Sequence, residues 1–351
     1  MNSTPTSAGK APRHMGMEHL RIAAAVMVIV LHAWYMKPGA SETHIWVSSL
    51  IYSMAGTAVP LFVLISGAFL IPDARNTAAF RFWGHSFQKL FPLSLAFFVL
   101  AFFWQGQLWQ QYSAGHFSSA ELAWKILQWY GAGAEHPLWY LCMLPGLYVA
   151  VPFLAWMWQR IPARRFAALA LLLMGLSIYA NRSGITLPHP CSALCWLGYF
   201  MLGALLLQLA RQKKLPPLRL LIPAAGIAIA GSLFYLFGEL SKLPDFYKHL
   251  ESLTYYPLML LSFLLFCIFA QWNPAPRNTI IRLSGLTFLV YLVHMPCQRI
   301  ICAILYHTGC SHLLHSGLLC NVLYTLASVV SAFLAALVIN WVYRAVFPGL
   351  K

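Results

Sequence analysis

Long apolar runs recur along almost the whole chain and constrain its fold more than any other feature. Runs of about 20 mainly apolar residues are the length that crosses the hydrocarbon core of a membrane as a helix. Hydrophobic residues make up 60% of the 351 residues and charged residues only 9%, too few polar groups to cover a water-exposed globule. We therefore expect an all-α fold, a polytopic integral membrane bundle of helices.

We predict about ten transmembrane helices from these runs. Their windows are 20–36, 46–71, 87–105, 138–158, 164–180, 192–210, 218–238, 253–271, 283–305 and 317–343. No polar stretch between them indicates a soluble domain. The sequence therefore predicts a polar cytoplasmic tail at 1–16 and a single transmembrane domain at 17–348.

The excess of basic residues is explained by membrane topology. The chain has 23 Lys and Arg against 8 Asp and Glu, a balance that would suggest nucleic acid as a partner in a soluble protein. The basic residues in the predicted outer segments are only Lys37, Lys125, Arg182, Lys242, Lys248 and Arg299. The positive-inside rule therefore places both termini in the cytoplasm. We expect membrane lipid, and no nucleic acid, among the partners.

The first apolar run carries two ionisable side chains on one face. Arg21 lies at its cytoplasmic edge, and His32 follows eleven residues later. At about 100° per residue this spacing is about 20° more than three full turns, so a helix presents both side chains along one stripe, about 16 Å apart. Ionisable groups inside a membrane usually face a protein interior or a wet cavity, which makes this stripe a candidate site.

A simpler interpretation of the same residues stays open. Arg21 could be a positively charged flank and His32 a buried histidine that makes a structural hydrogen bond. Glu18 lies one turn before Arg21 and could orient its guanidinium, which favours a site prepared for an anionic ligand.

Several motifs give the chain a resemblance to a known family. An Arg, ten residues and a His in the first span are followed by VPLFVLISGAFL (59–70) and FWGHSFQKLFPL (82–93). Later segments are HPLWYLCMLPGLYVAVPFL (136–154), CWLGYFMLG (195–203) and LTFLVYLVHMP (286–296). Together, in this order, they resemble membrane-bound acyltransferase family 3. Glu18 stands where that family usually has Asp, and Ile22 stands where it usually has Gly.

The resemblance implies an O-acyltransferase of the bacterial inner membrane. Such an enzyme would move an acyl group, commonly acetyl, from acyl-coenzyme A to a hydroxyl of a cell-envelope glycan or its lipid-linked precursor. Acetyl-coenzyme A would be a co-substrate, and we expect no permanently bound cofactor. Acyl transfer needs a base for the acceptor proton and a grip on the anionic donor. We predict His32 and Arg21 as the catalytic residues.

Further residues are candidates for the site. Around the donor phosphates we expect a basic cytoplasmic mouth made by Arg21 and Lys89 with Arg81 or His85. Glu18 is included among the donor-binding residues because it could orient Arg21. Lys89, Arg81 and His85 could equally be solvated or headgroup-facing flanks. The predicted lining of the site is Ser66, His136, Trp139 and His294. Each has a structural alternative: a hydrogen bond within its helix for Ser66, one inside the protein for the histidines, and packing for Trp139.

No metal site is predicted. The segment at 307–315 contains His307, Cys310, His312 and His315, but neither a carboxylate nor a second cysteine pair completes a familiar zinc spacing. The chain also has no HxxxxD, HExxH or P-loop motif, which argues against soluble-type glycerolipid acyltransferases, zinc proteases and nucleotide-driven pumps.

Two other functions remain compatible with the sequence. A transporter or exporter of a glycan or small metabolite also needs many spans and an internal charged stripe, although repeated halves and intramembrane acids for ion coupling are not evident. A scaffold that recruits envelope enzymes would not need His32.

We predict that His32→Ala abolishes acyl transfer and leaves membrane insertion intact. Loss of a positioned base typically lowers a rate by about 10²–10⁴-fold, whereas removal of a polar group from a span does not hinder insertion. Transfer assays and membrane fractionation measure the two properties. A stable and fully active variant would remove His32 from the mechanism.

Overall fold

The structure, a computed structural model, is helical throughout the part of the chain that it describes. It describes residues 13–34, 41–88, 139–185, 189–240, 256–311 and 317–346, with a few single positions between 92 and 124. None of these residues forms a strand. The expected all-α, polytopic architecture is confirmed.

Ten helices are numbered here in chain order within the described residues. They are α1 (Met15–Ala33), α2 (Glu42–Ala55), α3 (Ala58–Leu70), α4 (Trp139–Arg160), α5 (Ala163–Arg182), α6 (His189–Arg211), α7 (Leu218–Leu240), α8 (Tyr256–Gln271), α9 (Asn278–His307) and α10 (Leu318–Val346). A short 3-10 turn covers Ala74–Thr77, and residues 79–88 are also helical.

Most of the predicted spans correspond to these helices. Seven helical stretches in the described part are long and apolar enough to cross a membrane, with α2 and α3 together counting as one. Within α7 and α8, residues 218–234 and 258–271 form two shorter apolar helical stretches. Most of the predicted span at 87–105 lies outside the described residues, so the total of about ten stays a prediction.

The first helix begins earlier than the sequence predicted. We expected a polar tail at 1–16 and a first span at 20–36, whereas α1 begins at Met15. His14 caps the helix, because its ring accepts a hydrogen bond from the backbone N–H of Met17. Burial lowers the pKa of His14, which keeps the ring neutral and able to accept. Met15 and Gly16, which we assigned to the tail, therefore belong to the first turn of the helix.

The predicted span at 46–71 is not one continuous helix. It breaks at Gly56 and Thr57 into α2 and α3. The hydroxyl of Thr57 donates to the carbonyl of Met54 at 2.6 Å. This local bond offers the chain an alternative to the regular helical ladder, which explains a break that hydropathy cannot show.

Helix α1 lies at the centre of the bundle, in contact with α2, α3, α8, α9 and α10. At its start, the ring of His14 bonds the carbonyl of Ala270, and the side chain of Asn273 accepts from the backbone N–H of Met15. Arg211, at the end of α6, is close enough to His14 for its positive charge to lower the pKa of the His14 ring. The start of α1 and the ends of α6 and α8 therefore share one end of the bundle, called the basic end below.

Polar contacts fix the other end of α1. The indole of Trp34 donates to the hydroxyl of Ser48 at 2.9 Å, and the hydroxyl of Tyr52 donates to the carbonyl of Trp34 at 3.0 Å. His44, in the first turn of α2, accepts from the side-chain amide of Asn321 in α10 at 3.2 Å. The starts of α2 and α10 therefore lie at the end of the bundle opposite to the basic end.

Two glycines allow α3 and α6 to touch backbone to backbone. A Cβ on Gly67 would lie 1.7 Å from the carbonyl oxygen of Phe200, and one on Gly203 would lie 1.9 Å from that of Leu64. Small residues permit this close approach between membrane helices. Gly67 therefore serves the packing of α3 against α6.

We predict that Gly203→Ala destabilises the protein by about 1–3 kcal/mol, because the added methyl group forces α3 and α6 apart. Thermal unfolding in detergent measures the change. The matched control is Gly226→Ala, whose Cβ would meet nothing within 4 Å and which gains helix propensity. Equal melting temperatures for the two variants would contradict the tight contact.

Candidate functional site

A buried carboxylate holds the arginine of the stripe. Glu18 is only 7% exposed. Nη1 of Arg21 donates to Oε2 of Glu18 at 3.2 Å and to the hydroxyl of Ser284 in α9 at 3.4 Å. Ser284 also donates to Oε2 of Glu18, and Arg13 lies 3.9 Å from its other oxygen. A buried charge is costly unless paired, and this network supplies the pairing.

The guanidinium of Arg21 keeps donors for a ligand. Its side chain is 30% exposed, and its described hydrogen bonds both use Nη1. The guanidinium carbon lies 5.8 Å from the centre of the Phe69 ring in α3, which limits its movement. A planar group with five N–H donors, held on one side and open on the other, is suited to a phosphate.

His32 lies against a second histidine, His294. This histidine belongs to α9, the helix that also contacts Arg21. The ring centroids of His32 and His294 are 5.3 Å apart. His294 belongs to α9 and is fully buried, whereas His32 is exposed. Ionisable side chains inside a membrane usually face a protein interior or a wet cavity, so the exposed His32 beside the buried His294 is a candidate for contact with a substrate.

Both residues of the α1 stripe therefore face α9. Arg21 lies beside Ser284 and His32 lies beside His294, so α1 and α9 run in the same direction. The two contacts are separated by nearly the same number of residues in each helix. At about 1.5 Å rise per residue, the two levels are about 15 Å apart. The side-chain amide of Gln298 also donates to the carbonyl of Ile29 at 3.2 Å, which ties α9 to α1 one turn before His32.

Two tyrosines connect the levels of Arg21 and His32. The hydroxyl of Tyr140, in α4, shares a hydrogen bond with Ser66 and lies within electrostatic range of Arg21. The ring of Tyr140 meets the ring of Tyr291 edge to face at 5.7 Å. Tyr291 in turn contacts His294, with ring centroids 5.6 Å apart. A row of contacts thus runs from Ser66 through Tyr140, Tyr291 and His294 to His32, and Arg21 lies within electrostatic range of Tyr140.

The predicted lining residues fall into two groups. Ser66 and His294 belong to this row of contacts. Trp139 instead packs against Trp196 of α6, with ring centroids 5.9 Å apart. His136 lies outside the described residues.

Two of the predicted donor-binding residues lie on exposed helix surface. Arg81 and His85 are exposed in the helical segment 79–88. Trp83 of that segment donates to the carbonyl of Tyr148, whose hydroxyl is within electrostatic range of Arg21. The segment therefore packs near the Arg21 level. Lys89 lies outside the described residues, so the role of the three in donor binding stays a prediction.

Sequence reasoning missed four residues of the site: Ser284, Tyr140, Tyr291 and Gln298. Tyr140 is buried, and its ring packs against that of Tyr291. A signal for Ser284 did exist, because it precedes His294 by ten residues, close to the eleven between Arg21 and His32. Two helices with nearly equal polar intervals can face each other along their length.

No metal centre is found among the residues that the structure describes. They contain no group of three or more His, Cys, Asp or Glu close enough to hold an ion. His312 and His315, from the segment weighed as a zinc ligand set, lie outside the described ranges.

A family model described as an acyltransferase domain matches residues 15–341, nearly the whole chain. The chain belongs to acyltransferase family 3. The match covers both levels of the site, from Arg21 to His294, so this membrane acyltransferase carries them within its family domain. Comparison with curated proteins gives no match, and comparison with solved structures gives none either.

We predict that Glu18→Gln lowers the stability of this acyltransferase by about 1–3 kcal/mol, because the buried network loses its charged acceptor. Thermal unfolding in detergent measures it. The matched control is Asp73→Asn. Asp73 pairs with the exposed Arg75, whose hydrogen bond lowers the pKa of Asp73, and such surface pairs stabilise little. Equal shifts in the two variants would mean that Glu18 is not needed in the core.

Proposed function

We propose that this family 3 acyltransferase is an O-acyltransferase of a bacterial inner membrane. Its donor would be acyl-coenzyme A, with acetyl as the transferred group. Its acceptor would be a hydroxyl of a cell-envelope glycan or of the lipid-linked precursor of one. The observation that supports this most is the alignment of Arg21 and His32 along one contact between α1 and α9.

The basic end of the bundle suits the donor. Arg21 presents a partly exposed guanidinium, fixed by Glu18 and Phe69. Coenzyme A carries phosphates and is made in the cytoplasm, where the positive-inside rule places this end. Bidentate hydrogen bonds from Arg21 to a phosphate would anchor the donor. Its extended pantetheine arm would then carry the thioester the distance of about 16 Å to His32.

His32 suits the chemical step. It takes the proton of the acceptor hydroxyl while the oxygen attacks the thioester carbonyl. The new C–O bond forms, the C–S bond breaks, and the proton passes from His32 to the thiolate of coenzyme A. The products are an ester on the acceptor and free coenzyme A, and His32 is again neutral.

A transporter or exporter is the competing function. Ion-coupled transport usually relies on acids inside the membrane. The buried carboxylate among the described residues is Glu18, and it is already paired with Arg21 and Ser284. The family and the pairing of Glu18 both favour group transfer.

Transfer of label from acetyl-coenzyme A tests the proposal. Purified protein in lipid vesicles would receive acetyl-coenzyme A labelled in the acetyl group, together with bacterial membranes that carry envelope glycans. We expect label in the glycan fraction that mild alkali releases, as for an O-ester, and free coenzyme A in equal amount. Export of glycan from the vesicles with no label in the glycan would favour the transporter instead.

We predict that Arg21→Ala weakens coenzyme A binding by about 10–100-fold and that Arg21→Lys recovers only part of the loss. A planar guanidinium makes two parallel hydrogen bonds to a phosphate, a geometry that an ammonium cannot reproduce. A hydrogen bond to a charged group contributes about 1.5–3 kcal/mol. Calorimetry on the detergent-purified protein measures the affinity.

His32→Ala is the control for this prediction, because it should keep the affinity for coenzyme A. If Arg21→Ala binds like the unsubstituted protein while His32→Ala loses binding, the donor end and the base end are assigned the wrong way round.

A further inference from the structure

One ring nitrogen of His294 makes a hydrogen bond, and the other makes none among the described residues. Its Nδ1 lies 2.6 Å from the carbonyl oxygen of Tyr291. A carbonyl can only accept, so Nδ1 carries the hydrogen and donates it. The neutral ring then has its lone pair on Nε2, and this buried atom has no hydrogen-bond partner among the described residues. A buried acceptor without a partner is costly, which indicates that a donor reaches it during function.

The neighbour placed to supply that donor is His32. Two imidazole rings joined by an N–H···N hydrogen bond have their centroids about 5 Å apart. The centroids of His32 and His294 are separated by 5.3 Å, with the rings inclined by 37°. The spacing is therefore that of a hydrogen-bonded pair, and a rotation of the exposed His32 ring completes the bond.

We propose that His294 is a positioning residue that orients His32 as the base. Its Nε2 accepts the N–H of His32, so the other nitrogen of His32 is unprotonated and faces the acceptor hydroxyl. When that nitrogen takes the hydroxyl proton, the hydrogen bond to His294 stabilises the positive charge that forms on His32. The proton later leaves for the sulfur of coenzyme A, and His294 itself gains and loses none.

A neutral orienting group fits this location. A carboxylate here would be buried beside a neutral His32, and the arginine of the stripe lies about 15 Å away and is already paired with Glu18. The imidazole of His294 avoids that cost, and its bond to Tyr291 fixes its tautomer before the substrate arrives. The ring contact between Tyr291 and His294 holds its plane.

This inference rests on the proposed function, since it needs a reaction in which His32 is the base. Two substitutions separate positioning from packing. In His294→Gln the amide oxygen reaches the place of Nε2 and can accept from His32. In His294→Asn the oxygen reaches only the place of Nδ1 and cannot.

The experiment measures release of coenzyme A from acetyl-coenzyme A by protein in vesicles, in the presence of glycan-bearing membranes. We expect His294→Asn to lower kcat by about 100-fold, and His294→Gln to stay within about tenfold of the unsubstituted protein. The KM for acetyl-coenzyme A should be unchanged in both, because the donor is anchored at the Arg21 level. Equal kcat values for Gln and Asn, or a loss confined to KM, would overturn the proposal.

A double substitution adds a second criterion. If His294 acts through His32, then His32→Ala and His32→Ala/His294→Asn have the same residual rate, whereas independent effects multiply. Multiplied losses would contradict positioning.

A measurement that needs no substitution at His294 covers the case in which the His294 variants do not fold. The ¹⁵N signals of its histidine rings should include one Nδ1–H tautomer whose Nε2 signal shifts on His32→Ala. A hydrogen on Nε2 of that ring overturns the proposal. If the unsubstituted protein releases no coenzyme A at all while the tautomer is as expected, the proposed function has failed rather than the pairing.

Discussion

Everything in this structure depends on the cost of placing ionisable side chains inside an apolar bundle. A charged or polar group in a membrane helix must be paired or must face a wet opening. Helix α1 carries Glu18, Arg21 and His32, and it is accordingly surrounded by other helices. Its polar stripe lies against α9, where Ser284 and His294 stand at the same two levels. The pairing requirement thus fixes which helices meet and, with them, the two ends of the site.

Packing elsewhere serves that arrangement. Gly67 and Gly203 let α3 and α6 cross in backbone contact, which sets the position of Phe69 beside Arg21 and of Ser66 beside Tyr140. Contacts at both ends fix the position of α1 in the bundle. His14 makes them at the basic end and Trp34 at the other end. Rigid helices on both sides therefore keep Arg21 and His32 at a constant separation.

The sequence predicted the elements better than their junctions and partners. Hydropathy located most spans because apolar length is a local property, and helical period placed Arg21 and His32 on one face. It could not show that residues near Met15 already belong to α1, because His14 is held there by a bond to the carbonyl of Ala270 in α8, a distant segment. Hydropathy also could not show the break at Thr57, because it does not register a side-chain bond to the backbone. The contact of Tyr140 with Tyr291 joins distant segments and was likewise not predictable.

The direction of the site across the membrane tests the account most directly. Acetyl-coenzyme A does not cross a bilayer, so it can be supplied to one face of vesicles that contain the protein and glycan-bearing lipid. Cleavage by trypsin next to Lys213 and Lys214, which follow Arg211 at the basic end, reports which face is outward. We predict that external acetyl-coenzyme A releases coenzyme A only from vesicles in which these lysines are accessible. Release only from vesicles in which they are protected would contradict donor binding at Arg21.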